Sequence, residues 1–192
     1  MKLLKVVLFF IAPISLFGQL KKITNKEIWN FEFSAKKLEE IHPLNSASQY
    51  TVLEVNRKTR VSKVVAYDYA TAEFAEEIVN SSLKVLIPFF TSYNFSEDEN
   101  KLLLESESEP IYRRSKRAKY YVYDRTTKKS NLLFGFKVQE PKFSPDGSKV
   151  AFVYNRNVFI KNLDTNEINQ ITTDGSDHII NGLTDWVYEE EF

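Results

Sequence analysis

The sequence predicts an all-β protein: an incomplete β-propeller of about three four-stranded blades, preceded by a signal peptide and a short helix. Three observations predict it. First, aromatics make up 14% of the chain, with fifteen Phe and ten Tyr, and together with many Val, Ile and Thr they favour strands over helices. Second, a strand–turn unit occurs twice. Phe143-Ser144-Pro145-Asp146-Gly147-Ser148-Lys149-Val150-Ala151-Phe152 has a weaker twin in Phe95-Ser96-Glu97-Asp98-Glu99-Asn100-Lys101-Leu102-Leu103-Leu104, about 50 residues earlier, the spacing of a propeller blade. Its chemistry is that of a tight turn, in which Pro presets φ, Asp bonds back to the backbone and Gly takes the positive-φ position before a hydrophobic strand. Third, Ala66-Tyr67-Asp68, Val122-Tyr123-Asp124 and Phe159-Ile160-Lys161-Asn162-Leu163-Asp164 each end a strand on polar turn residues. Blades are expected over about 46–90, 91–140 and 141–180.

In chain order, residues 1–18 read as a secretory signal peptide. Met1-Lys2-Leu3-Leu4-Lys5 is basic, Val6 to Phe17 is apolar, and Gly18-Gln19 offers a small residue for cleavage,. The apolar run falls short of the roughly 20 residues of a spanning helix, with an uncleaved N-terminal anchor as the minority alternative. The reading places the mature chain in the periplasm or outside the cell. A lead-in segment follows over 19–45, where Thr24-Asn25-Lys26-Glu27 has capping-box spacing and starts a short helix through Trp29,. From 46 to 192 the texture is that of short strands, beginning with Tyr50 to Val55 and Lys63 to Tyr69 around the turn Asn56-Arg57-Lys58-Thr59,.

Composition excludes several functions. Lys+Arg and Asp+Glu both number 26, so no global field draws in nucleic acid or an anionic membrane. Cysteine is absent, which removes disulfides, thiolate metal sites and cysteine nucleophiles. His42 and His178 stand alone and read as surface or turn residues, and no HExxH motif, phosphate-binding glycine loop or Gly-x-Ser-x-Gly elbow occurs,. The expectation is therefore no metal, no cofactor and no catalytic residue within these 192 residues.

Relative to the third blade, the second carries extra residues near 106–116. An acidic limb, Glu105 to Glu109, runs into a basic one, Arg113 to Lys119, and in an antiparallel extension the two face each other with opposite charge. The acidic limb cancels the field of the basic one, which argues against nucleic acid. At 184–192 the run Thr184-Asp185-Trp186-Val187-Tyr188-Glu189-Glu190-Glu191-Phe192 sets three carboxylates behind two large aromatics. Trp186 and Tyr188 are expected to anchor the segment to a core. Fixed, clustered carboxylates require a cation, and an ammonium group with three donors fits.

Asn181-Gly182-Leu183-Thr184-Asp185-Trp186-Val187-Tyr188-Glu189-Glu190-Glu191 resembles the double-glutamate segment of the dipeptidyl peptidase IV family of serine exopeptidases. The resemblance implies that Glu190 and Glu191 grip the free N-terminal amine of a peptide. An ungapped match at Tyr123-Asp124 places Arg113 on the family's substrate-binding arginine, with Arg114 the fallback. It further implies release of X-Pro or X-Ala dipeptides, continuation into an α/β-hydrolase domain that supplies the catalytic groups, and a homodimer at full length. A glutamate clamp selects chains with a free amine, which argues against cleavage inside a long chain. The alternative from another class is a non-catalytic exported β-propeller binding module.

Overall fold

The structure is a computed structural model and describes residues 22–35, 40–82 and 87–191. The expected signal peptide, 1–18, lies outside the described residues. The chain divides into two compact units, Met1–Lys37 and Leu38–Phe192. Among the described residues no helix is long and apolar enough to cross a membrane.

The first unit contains α1 (Asn25–Trp29), started by the capping box read from the sequence. Thr24 accepts the Glu27 N–H through its hydroxyl, and the Glu27 carboxylate accepts the Thr24 N–H at 2.9 Å. Two donors that the first turn leaves unpaired are thereby satisfied.

The second unit holds three four-stranded antiparallel sheets, each in simple sequence order. The first is β1 (Ile41–Pro43), β2 (Gln49–Asn56), β3 (Val61–Asp68) and β4 (Phe74–Asn80). The second is β5 (Ser92–Phe95), β6 (Lys101–Pro110), β7 (Lys116–Asp124) and β8 (Lys129–Leu132). The third is β9 (Gln139–Phe143), β10 (Lys149–Tyr154), β11 (Asn157–Asn162) and β12 (Ile168–Gln170). These are blades of the propeller type. The first begins at Ile41, inside the stretch 19–45 assigned to the lead-in, because a three-residue strand containing Pro43 has no alternation to read.

The repeat is visible in its hydrogen bonds. Ser144 donates to Asp146 at 2.5 Å, Asp146 accepts the Ser148 N–H at 3.0 Å, and the Lys149 N–H reaches back to Ser144 Oγ at 2.9 Å. The twin reproduces this with Ser96, Asp98, Asn100 and Lys101, at 2.6, 3.1 and 3.0 Å. The positive-φ position is Gly147 (φ 65) in one and Glu99 (φ 58) in the other. A third copy stands at 44–49, where the Leu44 N–H donates to Gln49 O, the Ala47 N–H donates to Leu44 O, and Ala47 takes φ 55. Its backbone is the same, but Leu44 replaces the serine and Ser46 the aspartate, so the sequence hides it. The unit-closing turns are capped by Asp68, Asp124 and Asn162, the last two residues earlier than Asp164.

The Asp146 turn has a measurable consequence. Bonds from the Ser144 hydroxyl first, then from the Ser148 N–H and hydroxyl, hold the Asp146 carboxyl down at about 2. An unfolded aspartate titrates near about 3.9. Its contribution to stability is therefore complete above that value and is lost as pH falls toward 2. Asp146→Asn should flatten the acid limb of stability between about pH 4 and pH 2. Urea unfolding of both proteins across that range checks it; parallel profiles would refute the assignment.

The second sheet is buried on both faces, which explains the unbroken run Leu102-Leu103-Leu104. Leu102, Leu104 and Tyr123 join Leu53, Val64 and Phe90 in the seam with the first sheet. Leu103, Tyr120 and Val122 join Val150 and Phe152 in the seam with the third. Such faces favour continuous apolar stretches over alternation. Tyr93 Oη and Thr51 Oγ1 pair within the seam at 2.7 Å; burial first pushes the Tyr93 phenol up to about 12. Lys161 is buried and donates to the Leu132 and Leu133 carbonyls at 3.0 Å, tying the third sheet to the end of the second. His42, expected on a surface or turn, sits half-buried in β1, 3.0 Å from Glu40, with its ring edge-on to Tyr93 at 4.7 Å. Tyr93, invisible as a neighbour in the sequence, draws it inward.

Candidate functional site

The extra residues of the second blade form the expected charge-paired hairpin. β6 and β7 run in steady register from Lys101↔Asp124 to Ser106↔Lys119, shift, and resume at Glu109↔Arg117 and Pro110↔Lys116. The shift gives β6 one more residue than β7, a β-bulge, and Glu107 sits there at φ 50. Above it the two limbs are cross-linked by Arg117 to Glu109 at 3.1 Å, with Lys137 also reaching Glu109 at 3.4 Å. The tip, residues 111–114, carries Arg113 and Arg114.

The glutamate run arrives from the third sheet. After β12 the chain is fixed by Asn181, whose backbone N–H and side-chain amide donate to Arg156 O at 3.1 and 3.2 Å, the amide also reaching Asp174 at 3.0 Å. Gly182 follows at φ 77, so close to Val153 and Val158 that a Cβ would come within 2.8 and 2.7 Å of them. Asp185 then caps α2 (Trp186–Glu190), accepting the Val187 and Tyr188 N–H groups at 2.9 and 3.3 Å.

The two pieces meet. Arg113 Nη2 donates to Glu191 Oε1 at 3.1 Å across 78 residues of sequence. Glu190 is the last residue of α2, directly before Glu191, which is its C-cap. The helix ends on three successive carboxylates, with no basic residue in its last turn. A helix C-terminus carries partial negative charge of its own, which adds to that of the carboxylates, and Arg113 supplies a cation there. The pair is open to solvent, with side-chain exposures of 65% and 52%. Exposed pairs contribute at most about 1 kcal/mol to stability, so the pair adds little to the fold. Among the described residues no group of three or more His, Asp or Glu is placed to hold a metal ion.

One expectation is overturned. Trp186 and Tyr188 do not anchor the segment, since they are 53% and 65% exposed. The position of α2 is set instead by the close backbone approach at Gly182 and by the Asn181 and Asp185 bonds. Sequence signals for these were present in the Asn-Gly dipeptide and in an Asp directly before a short helical run.

The fold is thus of propeller type, with an acidic helix end facing an arginine-tipped hairpin. Residues 96–192, half of the chain, match the family described as the "Dipeptidyl peptidase IV (DPP IV) N-terminal region". The chain belongs to that family. It is 31% identical over 185 residues to the prolyl endopeptidase FAP of Mus musculus, covering 91% of this chain and 22% of that protein. It is 29% identical over 191 residues to the "Probable dipeptidyl-aminopeptidase B" of Neurospora crassa, covering 91% and 20%. Among solved structures it is similar to the Porphyromonas gingivalis dipeptidyl peptidase 4, with a TM-score of 0.76 and 36% identity over 89% of this chain and 25% of that one. The chain therefore spans no more than a quarter of these three proteins.

Proposed function

We propose that this chain is the substrate-recognition portion of an exported, dipeptidyl peptidase IV-like serine exopeptidase that releases X-Pro or X-Ala dipeptides. In this reading Glu190 and Glu191 clamp the substrate's N-terminal ammonium. Arg113 balances their charge and lies within reach of a substrate carbonyl, a task suited to a planar guanidinium. An α/β-hydrolase domain supplies the nucleophile, base and oxyanion hole, and the full enzyme works as a homodimer in the periplasm or outside the cell. No metal or cofactor is called for. The observation that supports the reading is the meeting of Arg113 and Glu191 at the carboxylate-rich end of α2.

The test is direct binding to the 192-residue chain. Ala-Pro-amide with a free amine should bind through the clamp, whereas N-acetyl-Ala-Pro-amide, which has no ammonium, should not. Equal binding of the two, followed by NMR or calorimetry, would sink the reading. A relative named prolyl endopeptidase raises endopeptidase action as a second reading, and an endopeptidase would not discriminate against the acetylated ligand. A further expected result is that the 192-residue chain gives only background turnover of an X-Pro chromogenic substrate, because acyl transfer needs an activated nucleophile and an oxyanion hole. Turnover that survives rigorous purification would overturn that.

A further inference from the structure

The hairpin that carries Arg113 has a support problem. Leu133 still bonds to Tyr120 and Val138 to Ala118, but no described strand flanks β7 beyond Ala118. The projecting part is a two-stranded ribbon above a bulge, and such ribbons are marginal in water by themselves. A substrate-facing arginine on a ribbon free to swing would be poorly placed, since misplacement by about 1 Å can cost on the order of 100-fold in rate.

A buried carboxylate stands at the root. Glu105 lies opposite Tyr120 in the β6–β7 register, on the same face as Leu103, in the seam between the second and third sheets. Its side chain is 7% exposed. It accepts from Tyr120 Oη at 3.1 Å and from Lys116 Nζ at 2.7 Å. Lys116 belongs to the far side of the bulge, paired with Pro110, only three residues from Arg113. The Glu105–Lys116 contact therefore spans the irregular step and ties the arm's basic limb to its base. A carboxyl group buried to this extent needs such partners. Burial first, and then the charge of Glu105, raise the Tyr120 phenol above its ordinary value, so the hydroxyl stays a donor. The outer link, Glu109 with Arg117, is half-exposed and holds the limbs to each other, while Lys137, beside Val138 of the seam, reaches Glu109 only at 3.4 Å.

We propose that Glu105 is a positioning residue for the amine site, acting through Lys116 and Tyr120 to hold the β6–β7 arm so that Arg113 meets Glu191. This inference rests on the clamp reading and adds to it a residue that touches no substrate. The experiment compares binding of Ala-Pro-amide and its N-acetyl form to the 192-residue chain and to Glu105→Gln, Tyr120→Phe, Lys116→Met and Lys116→Arg variants. Circular dichroism confirms that each is folded. Tyr120→Phe removes a single oxygen and serves should Glu105→Gln fail to fold. Glu105→Gln and Lys116→Met are expected to lower the preference for the free amine by about 10- to 100-fold, with Lys116→Arg restoring most of it. The decisive comparison is made in an Arg113→Ala background, where Glu105→Gln should cost no further preference, because the group it positions is gone. A merely structural role would lower binding equally in both backgrounds, and that result would overturn the proposal. If wild type discriminates and folded Glu105→Gln and Tyr120→Phe discriminate equally well, the positioning role fails and the clamp stands. If wild type does not discriminate at all, both fall.

Discussion

Gly182→Ala is expected to destabilise the second unit by about 2–4 kcal/mol, the sum of a left-handed backbone for a residue with a Cβ and of overpacking against a filled surface. Gly182 has φ 77, and an added Cβ would lie 2.7 Å from Val158 Cγ2 and 2.8 Å from Val153 Cγ2. Both contacts are shorter than methyl groups tolerate, and both valines sit on strands of the third sheet, so each must leave its χ1 rotamer or shift its strand to make room. Otherwise the chain would lift off the sheet and carry α2 with it. Two measurements follow from one variant: a lower midpoint in urea unfolding, and a weaker preference for free-amine over acetylated ligand. Adding Val158→Ala should return part of the stability by opening space, while the cost of the positive φ remains. Wild-type stability in Gly182→Ala would show that the close approach carries no energetic weight.

Much of the fold was legible because its determinants are local. The Ser-x-Asp turn is built from side chains bonding within five residues, and the same bonds appear at Ser96 and Ser144, so a repeated motif announced a repeated structure. The copy at 44–49 was illegible for the converse reason: its backbone geometry survives on Leu44, Ser46 and Ala47, which carry none of the signature side chains. The hairpin's charge pairing was equally local. Residue burial was less accessible, since whether Trp186 is covered depends on what faces α2 and not on tryptophan's own preference. The same holds for His42, drawn inward by Tyr93. In the candidate site, Arg113 and Glu191 came from resemblance; the residues alone pointed only to three clustered carboxylates in need of a cation. Glu105 was passed over as one member of an acidic limb. Its place after Leu102-Leu103-Leu104, on the Leu103 face of a strand buried on both sides, was the available signal that it differs from Glu107 and Glu109.

The proposed clamp predicts a large effect on catalysis in the proposed full-length peptidase. Glu191→Gln keeps the size and hydrogen-bonding capacity of the side chain but removes a charge from the end of α2, where the helix terminus already favours a cation. A hydrogen bond to a charged group contributes about 1.5–3 kcal/mol, so kcat/KM on a free-amine dipeptide substrate should fall by about 10- to 150-fold. Glu190→Gln should fall in the same range, because in the proposed clamp two carboxylates share one ammonium. Glu189→Gln should change little if that residue only flanks the site. Arg113→Ala should lower kcat/KM too, and its combination with Glu191→Gln should cost less than the two separate losses together, because Arg113 and Glu191 are partners at 3.1 Å and contacting residues couple. Since the pair is exposed, neither change should shift thermal stability by more than about 1 kcal/mol, which separates a loss of recognition from a loss of fold. High salt should weaken the exposed Arg113–Glu191 pair. Near-wild-type kcat/KM in both Gln variants, with wild-type stability, would remove the amine clamp and leave a propeller segment whose acidic helix end serves some other cation.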